Sequence, residues 1–132
     1  MFEIDNIDEL YALQKGLMEI RFNATDVDWA VKGSPFLSRV HERLVETIIA
    51  HHEEIGESRK AQGWRDWRRF EARAMERPAV RDYLAEMWDE LPTPEVKREA
   101  VVDQMRPFVF SDENVTEMIA EIETEWRKRS AR

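Results

Sequence analysis

The 132-residue chain has no cysteine, few glycines and no long apolar run. Without cysteine it has neither disulfides nor thiolate-ligated metal sites, which fits a reducing compartment. The absence of a run of about 20 apolar residues argues against a membrane span. The acidic start, MFEIDNIDEL, argues against a signal peptide, whose first residues are basic. We therefore expect a cytoplasmic protein that does not associate with membranes.

Positive charge is also in short supply, because 28 Asp and Glu outnumber 20 Lys and Arg and leave a net charge of -8. Non-specific binding to nucleic acid needs a basic field, so we expect no nucleic-acid partner. The one concentrated basic segment, residues 127–132, is typical of a solvated helix end, where cations are favoured by the macrodipole. At this length we expect one domain, residues 1–132, with a core of its own.

Apolar residues at helical spacing are abundant, and prolines stand where helices should start or stop. No segment shows the alternation of a strand, and no internal repeat is present. The pattern predicts an all-α bundle of five or six helices with a four-helix core. The expected helices cover about Asp8 to Phe22, Pro35 to about Lys60 with Gly63 as the terminator, Trp64 to Met75 as a short helix or turn, Ala79 to Leu91, Pro94 to about Met105, and a last helix after Ser111 or Asp112. A loop over residues 23–35 joins the first two.

Two pairs of acidic residues have i, i+3 spacing, Glu54 with Glu57 and Glu86 with Asp89. On a helix this spacing directs both members of a pair to the same face. If the helices that carry the pairs pack antiparallel, four carboxylates converge on one site. Oxygen ligands in this number suit Mg²⁺, or Mn²⁺ in its place, and such an ion also binds substrate phosphates. With 28 acids in the chain, however, the same spacing also arises by chance on solvated helix faces.

The histidines suggest a different metal chemistry, because imidazole with carboxylate suits transition metals. His51 and His52 are adjacent, so a regular helix directs their rings differently. No Glu-x-x-His pair of the kind found in helical di-iron sites occurs, so we expect neither a zinc nor a di-iron site. Another acidic pair, Glu99 and Asp103 at i, i+4, is an alternative to the second carboxylate pair. The chain has no nucleophile elbow of a Ser/His/Asp hydrolase.

A larger pattern contains both acidic pairs. Its order is Glu54-x-x-Glu57, six residues, Trp64-Arg-x-Trp67-Arg68, and later Glu86-x-x-Asp89. This order resembles the all-α nucleoside triphosphate pyrophosphatases, which include the dimeric dUTPases and the MazG-like enzymes. In the dimeric dUTPases a W-K-x-W-K cluster follows the E-x-x-E helix, and W-R-x-W-R is its arginine version. Leu13-Gln14 on the first helix and Asp28-Trp29 before the long helix agree with that layout, so the resemblance covers about residues 10–91.

The resemblance implies a Mg²⁺-dependent nucleoside triphosphate pyrophosphohydrolase that removes unwanted nucleotides. The implied metal ligands are Glu54, Glu57, Glu86 and Asp89, and either Glu54 or Glu57 polarises the attacking water. Arg65 and Arg68 are the implied phosphate ligands. Gln14 reads a base edge, and Trp29 or Trp64 stacks on the base. Arginine suits phosphate because its planar fork binds two oxygens together. Each role has a structural alternative. The tryptophans also suit a core, the arginines also suit ion pairs, and the glutamine also suits a helix surface.

The chain departs from the family pattern in three places. Where family members often have asparagine, four residues after the glutamine, this chain has Met18. The helix of the second pair meets Pro92 almost at once, where an apolar stretch is usual. No counterpart of the Lys/Asn-rich phosphate-binding segment of the dimeric dUTPases is present. A compact MazG-like enzyme and an inactive relative both fit these departures.

A helical interaction protein is the alternative from a different functional class. Five tryptophans and six methionines suit an interface as well as a pocket. The last helix carries an apolar stripe of Val115, Met118, Ile119, Ile122 and Trp126, which we expect to meet a partner. We therefore expect a homodimer or a higher homo-oligomer, whether or not the protein binds nucleoside triphosphates.

Overall fold

The computed structural model describes residues 1–132 and confirms an all-α bundle. Its helices are α1 (Ile7–Met18), α2 (Trp29–Lys32), α3 (Pro35–Glu54), α4 (Ser58–Trp67), α5 (Arg77–Met87), α6 (Pro94–Met105) and α7 (Asp112–Ser130), with a π-helical turn at Glu19–Asn23 and 3₁₀ turns at Phe70–Ala72 and Trp88–Glu90. None of the helices combines the length and the apolar character needed to span a bilayer.

The helix starts follow local sequence signals. Ser34 and Thr93 cap α3 and α6, and each accepts a hydrogen bond at 3.1 Å from the backbone N–H three residues on. A proline occupies the first position of both helices, where its missing N–H is not needed. Asn6 caps α1, and Ser111 forms a reciprocal capping box with Asn114 at the start of α7. The expected start of the last helix after Ser111 is therefore confirmed.

The predicted long helix ending at Gly63 is wrong, because α3 ends at Glu54. Gly56 has a φ of +79°, a conformation that glycine adopts at little steric cost. Its N–H donates to the carbonyl of Glu53 at 3.1 Å, and the Glu57 N–H donates to the carbonyl of His52 at 2.7 Å. These two bonds form a Schellman motif, the commonest glycine-ended helix termination. Gly63 lies instead inside α4.

The predicted loop between the first two long helices contains one short helix, α2. Asp28 caps it by accepting a hydrogen bond from the Ala30 N–H at 2.8 Å. Gly33 follows directly, and a Cβ built there would lie 2.0 Å from the hydroxyl oxygen of Tyr83 on α5. The absence of a side chain at Gly33 therefore permits the close approach of this segment to α5.

The apolar core is divided unevenly between two layers. The carboxyl-terminal layer, α5 with α6 and α7, contains most of a cluster of thirteen buried residues, to which Phe22, Phe70 and Phe108 also belong. The amino-terminal layer, α1 with α3 and α4, contains two smaller clusters of four and three buried residues. Trp67 packs against both the large cluster and the smallest one. The amino-terminal layer thus has much less apolar burial.

A chain of buried polar groups, which we call the polar seam, connects the two layers. It consists of Gln14, Arg21, Ser38 and His41, together with the carbonyl oxygens of Asp103 and Arg106. Arg21 donates to His41 Nδ1 at 2.9 Å and to the Asp103 carbonyl at 3.0 Å. The π-helical turn, closed by a bond of 2.7 Å from the Ala24 N–H to the Glu19 carbonyl, contains Arg21 and Phe22, which are consecutive and both buried.

The apolar stripe of the last helix lies inside the chain rather than on an open surface. Val115, Met118 and Ile122 are at most 1% exposed and belong to the thirteen-residue cluster. Helix α7 packs mainly against α5 and α6, which cover the stripe. The prediction that the whole stripe is open to a partner is therefore wrong, because three of its five residues are buried within the chain.

Candidate functional site

Five of the nine predicted site residues lie on one helical hairpin, formed by α3 and α4. The hairpin closes where Ala61 of α4, fully buried, packs against Val45 and Ile49 of α3. Ion pairs connect the helices along one edge, Arg65 with Glu53 and Arg68 with Glu46. The five residues are Glu54, Glu57, Trp64, Arg65 and Arg68. Predicted Glu54 is the last residue of α3 and is exposed.

Glu57 lies at the tip of the hairpin and is held by two neighbours. Its Oε1 lies 2.9 Å from His52 Nδ1, and its Oε2 lies 2.9 Å from Lys60 Nζ. Hydrogen bonds from Lys60 and then from His52 lower the pKa of the Glu57 carboxyl, so it is ionised at neutral pH. Since a carboxylate can only accept hydrogen bonds, His52 donates from Nδ1 to Glu57. Its Nε2 therefore accepts a hydrogen bond from the Tyr11 hydroxyl.

Aromatic rings lie beside Glu57 on the face of the hairpin that α1 covers. The Tyr11 ring stacks on Trp64 at 5.7 Å between centroids with an interplanar angle of 16°. It also stacks on His52 at 5.9 Å, and Trp64 meets Trp67 edge to face at 5.2 Å. Trp64 is half-buried in this stack and, with Lys60, lines a shallow surface depression of about 240 Å³. Trp64 therefore packs against its neighbours and is also partly accessible to solvent.

The two predicted phosphate-binding arginines line an open groove of about 470 Å³ on the other side of the hairpin. Arg65 pairs there with Glu53. Arg68 is mostly buried and donates from Nε and Nη2 to the Pro107 carbonyl at 3.2 and 3.1 Å. Arg69 also lines the groove and is exposed. Arg65 is thus the arginine with freedom to exchange its partner, whereas Arg68 ties α4 to the segment before α7.

Gln14 is buried in the polar seam, away from the hairpin tip. Arg21 can only donate, so His41 accepts at Nδ1 and donates from Nε2 to the Gln14 side-chain oxygen. Burial first, and then the charge of Arg21, lowers the pKa of His41 to about 3. Burial also lowers the pKa of Arg21 to about 10, so it remains charged at neutral pH. In this position the amide of Gln14 has a structural partner already.

Two further predicted residues, Trp29 and Glu86, line a separate cavity of about 250 Å³ between α2, the loop before it and α5. Trp29 packs against Tyr83 with 4.9 Å between ring centroids. Asp89 lies in the 3₁₀ turn after α5 and accepts a hydrogen bond at 3.1 Å from the indole of Trp126 on α7. The structure thus distributes the nine predicted residues over the hairpin, the seam, this cavity and the end of α5.

The four predicted metal ligands are not brought together. The break at Gly56 separates Glu54 from Glu57, and α5 packs against α6 and α7 rather than antiparallel to α3. In the alternative pair of Glu99 and Asp103, the carboxylate of Asp103 already forms an ion pair with Arg106. These residues therefore do not fit a four-carboxylate Mg²⁺ site, which needs oxygen ligands around one centre.

One group of three metal-ligating side chains does meet, formed by His51, His52 and Glu57, whose ligand atoms lie within 4.8 Å of one another. The expectation from the sequence treated both histidines as members of a continuing helix and missed this group. If Gly56 is taken as the C′ residue of a Schellman motif, the residue after it, Glu57, lies beside His52, which is four residues before Gly56. That signal, available in the sequence, associates Glu57 with His52.

No protein-family model, curated protein or solved structure matches this chain.

Proposed function

We propose that this protein hydrolyses a phosphoanhydride bond of nucleoside triphosphates on the α3–α4 hairpin, as a pyrophosphohydrolase. The observation that carries the proposal is the presence of Glu57, Trp64 and Arg65 on this one hairpin, with Glu57 at its tip and Arg65 in an open groove that three arginines and three acidic residues line. A carboxylate, a flat ring and a guanidinium are the three kinds of group that a nucleotide requires at its reacting water, base and phosphates.

The phosphates are assigned to the groove that Arg65 and Arg69 line. Arg69 is exposed, and Arg65 is about half exposed, with a side-chain exposure of 44%. Exposed ion pairs contribute little stability, so a triphosphate can replace the carboxylate partner of Arg65 at small cost. The groove of about 470 Å³ is of the size that holds small ligands.

Mg²⁺ enters this proposal as part of the substrate, bound to the triphosphate. The chain does not assemble a carboxylate cage for the ion, whereas Mg²⁺ commonly reaches proteins with phosphates and waters supplying most of its ligands. Mn²⁺ takes the same place. Glu57, ionised and at the hairpin tip, is the carboxylate assigned to orient the attacking water and accept its proton. The water oxygen bonds to phosphorus as the anhydride bond breaks, releasing pyrophosphate and a nucleoside monophosphate.

A panel of ribo- and deoxynucleoside triphosphates, each with Mg²⁺ and with Mn²⁺, tests the proposal. Release of pyrophosphate is expected for at least one nucleotide, with kcat/KM reduced about 100-fold or more in Glu57→Gln. Glu113→Gln, a change of one exposed glutamate on α7, is the matched control and should retain activity. No hydrolysis of any nucleotide, with no thermal shift from Mg²⁺ and a non-hydrolysable analogue, contradicts the proposal.

Asp89→Asn decides whether the second acidic pair takes part. Asp89 is exposed and hydrogen-bonded to Trp126, so a site confined to the hairpin predicts activity close to that of the wild type. A loss equal to that of Glu57→Gln would show instead that both pairs act together, in an arrangement different from the present one.

An interaction protein is the second candidate, and one observation favours it. Four apolar residues near the start of α3 are exposed: Trp29 by 44%, Val31 by 40%, Phe36 by 73% and Val40 by 37%. We call them the α2–α3 patch. Phe36 and Val40 are one helical turn apart on α3, and exposed apolar residues that share a face mark contact surfaces more often than isolated ones do. If the patch joins two copies of the chain, light scattering should give a dimer that Phe36→Asp converts to monomer, and a wild-type monomer at high concentration argues against it.

A further inference from the structure

Three potential metal ligands meet at the junction of α3 and α4. His51 and His52 belong to the last turn of α3, and Glu57 is the residue before α4. The Schellman motif around Gly56 turns the chain so that the ligand atoms of all three lie within 4.8 Å of one another. The negative end of the α3 macrodipole lies at the same place and favours a cation.

The central ligand, His52, is already oriented from both sides. It is 2% exposed, and its two ring nitrogens contact the Glu57 carboxylate and the Tyr11 hydroxyl. When a metal replaces the proton on Nδ1, the remaining proton lies on Nε2 and is donated to the Tyr11 oxygen. Histidine ligands commonly have such an acceptor behind them, which fixes the ring and its tautomer. Tyr11 is therefore a positioning residue.

The other two ligands have the freedom that metal binding requires. His51 is half-buried and makes no hydrogen bond to the protein. Glu57 is 33% exposed, and Lys60 contacts its Oε2, which leaves Oε1 for the metal once the His52 proton has gone. Ligands around tetrahedral zinc lie about 3.3 Å apart, since each bond is about 2.0–2.1 Å. Glu57 Oε1 and His52 Nδ1, 2.9 Å apart, already meet this separation, so rotation of the His51 ring is the main adjustment that the site requires.

We propose that His51, His52 and Glu57 form a binding site for a first-row divalent transition metal of the zinc class. Two imidazole nitrogens and one carboxylate oxygen suit Zn²⁺, Co²⁺ or Ni²⁺, whereas Mg²⁺ prefers oxygen ligands alone. Three protein ligands leave a position for water, as in catalytic rather than structural zinc sites. The site goes beyond the proposed hydrolysis and requires no nucleotide.

Titration of the full chain with Zn²⁺ by calorimetry at neutral pH, without nucleotide, tests this site. One bound zinc per chain is expected, with affinity at least about tenfold weaker in His51→Gln and in Glu57→Gln. Glu54→Gln, which changes an exposed carboxylate outside the group, is the matched control and should bind as the wild type does. Mg²⁺ in the same titration should not compete.

Two more variants address the surroundings of the metal. Tyr11→Phe removes the acceptor behind His52 and should weaken zinc binding about tenfold. Lys60→Met removes a positive charge 2.9 Å from Glu57 and should strengthen it. Thermal unfolding without zinc checks that each variant is folded. No zinc binding by the folded wild type, or equal zinc affinity in the wild type, His51→Gln and Glu57→Gln, overturns the proposed site. An unchanged affinity in Tyr11→Phe overturns the positioning role of that residue. Since this titration needs no hydrolysis, its failure is distinguishable from failure of the proposed enzyme.

Discussion

The two layers of the molecule are held together by different kinds of interaction. The carboxyl-terminal layer surrounds thirteen contiguous buried residues, among them Trp88 and Met118, and its helices have few titratable groups inside. The amino-terminal layer has clusters of four and three buried residues and relies additionally on the stack of Tyr11 with Trp64 and on the polar seam. Burial of apolar area is the larger source of stability, so the carboxyl-terminal layer is the more stable scaffold of the molecule.

The candidate functional groups lie in the less apolar layer. Glu57, His52, Trp64 and Arg65 are all on α3 and α4 or the turn between them. Polar and charged groups at a site reduce the apolar area that the same helices can bury, and regions with little apolar packing open at lower free energy. The uneven core thus leaves the hairpin able to adjust around a ligand while α5, α6 and α7 remain in place.

The largest expected effect compares the two layers directly, with the same substitution at two fully buried isoleucines. Ile122→Ala in the thirteen-residue cluster should lower the free energy of unfolding by about 4 kcal/mol, and Ile48→Ala in the four-residue cluster by about 3 kcal/mol. The smaller cluster has fewer buried residues around Ile48, so we expect it to relax more completely around the cavity. Urea unfolding measures both values, and a larger loss for Ile48→Ala would reverse the comparison.

The polar seam should make stability depend on pH through His41. Its pKa is lowered to about 3 in the folded chain, whereas an ordinary histidine has about 6.5. Below pH 6.5 the unfolded chain therefore binds one more proton, so stability is complete above that value and falls as the pH decreases. Between pH 7 and 5 the expected loss is about 2 kcal/mol, from about 1.4 kcal/mol per pH unit.

The control for this dependence is His41→Gln, whose amide can still accept from Arg21 and donate to Gln14. This variant should be less stable at pH 7 but should lose about 2 kcal/mol less than the wild type on going to pH 5. Urea unfolding at pH 7, 6 and 5 provides the comparison. Parallel losses in the two proteins would show that His41 is not the group responsible.

The smallest expected effects have opposite signs at two glycines. Gly33→Ala places a methyl group against the Tyr83 hydroxyl, where α2 meets the carboxyl-terminal layer, and should destabilise by about 1–2 kcal/mol. Gly63→Ala, inside α4 with nothing within 4 Å, should stabilise by about 0.5–1 kcal/mol because alanine favours helix. Thermal unfolding measures both changes.

Tyr83→Phe tests the cause of the effect at Gly33. Removal of the hydroxyl opens the space that the new methyl group needs, so the double variant should lose less stability than the sum of the two single changes. Strict additivity would place the cause elsewhere, for example in the Trp29 carbonyl, which lies 3.2 Å from the same Cβ position.

The sequence by itself determined the helical class and the starts of α3, α6 and α7. Caps such as Ser34 and Thr93, each followed by proline, act through hydrogen bonds to residues three positions away, so local information is sufficient. The end of α3 was different, because Gly63 was the predicted terminator whereas the helix ends just before Gly56. Burial of Ala61 against Val45 and Ile49 requires the chain to reverse at Gly56.

Only the tertiary structure decided which functional groups meet. The spacing of Glu54 and Glu57 implied a shared helix face. Gly56, which lies between them and has a positive φ, ends the helix, so the two residues do not share one. The same turn brought Glu57 to His52, a contact that helical periodicity does not contain. Convergence of Glu86 with the hairpin depended on which helices pack together, and apolar area directed α5 to α6 and α7 instead. Local hydrogen bonding is encoded within a few residues, whereas the partner of a helix depends on the apolar surface of the whole chain.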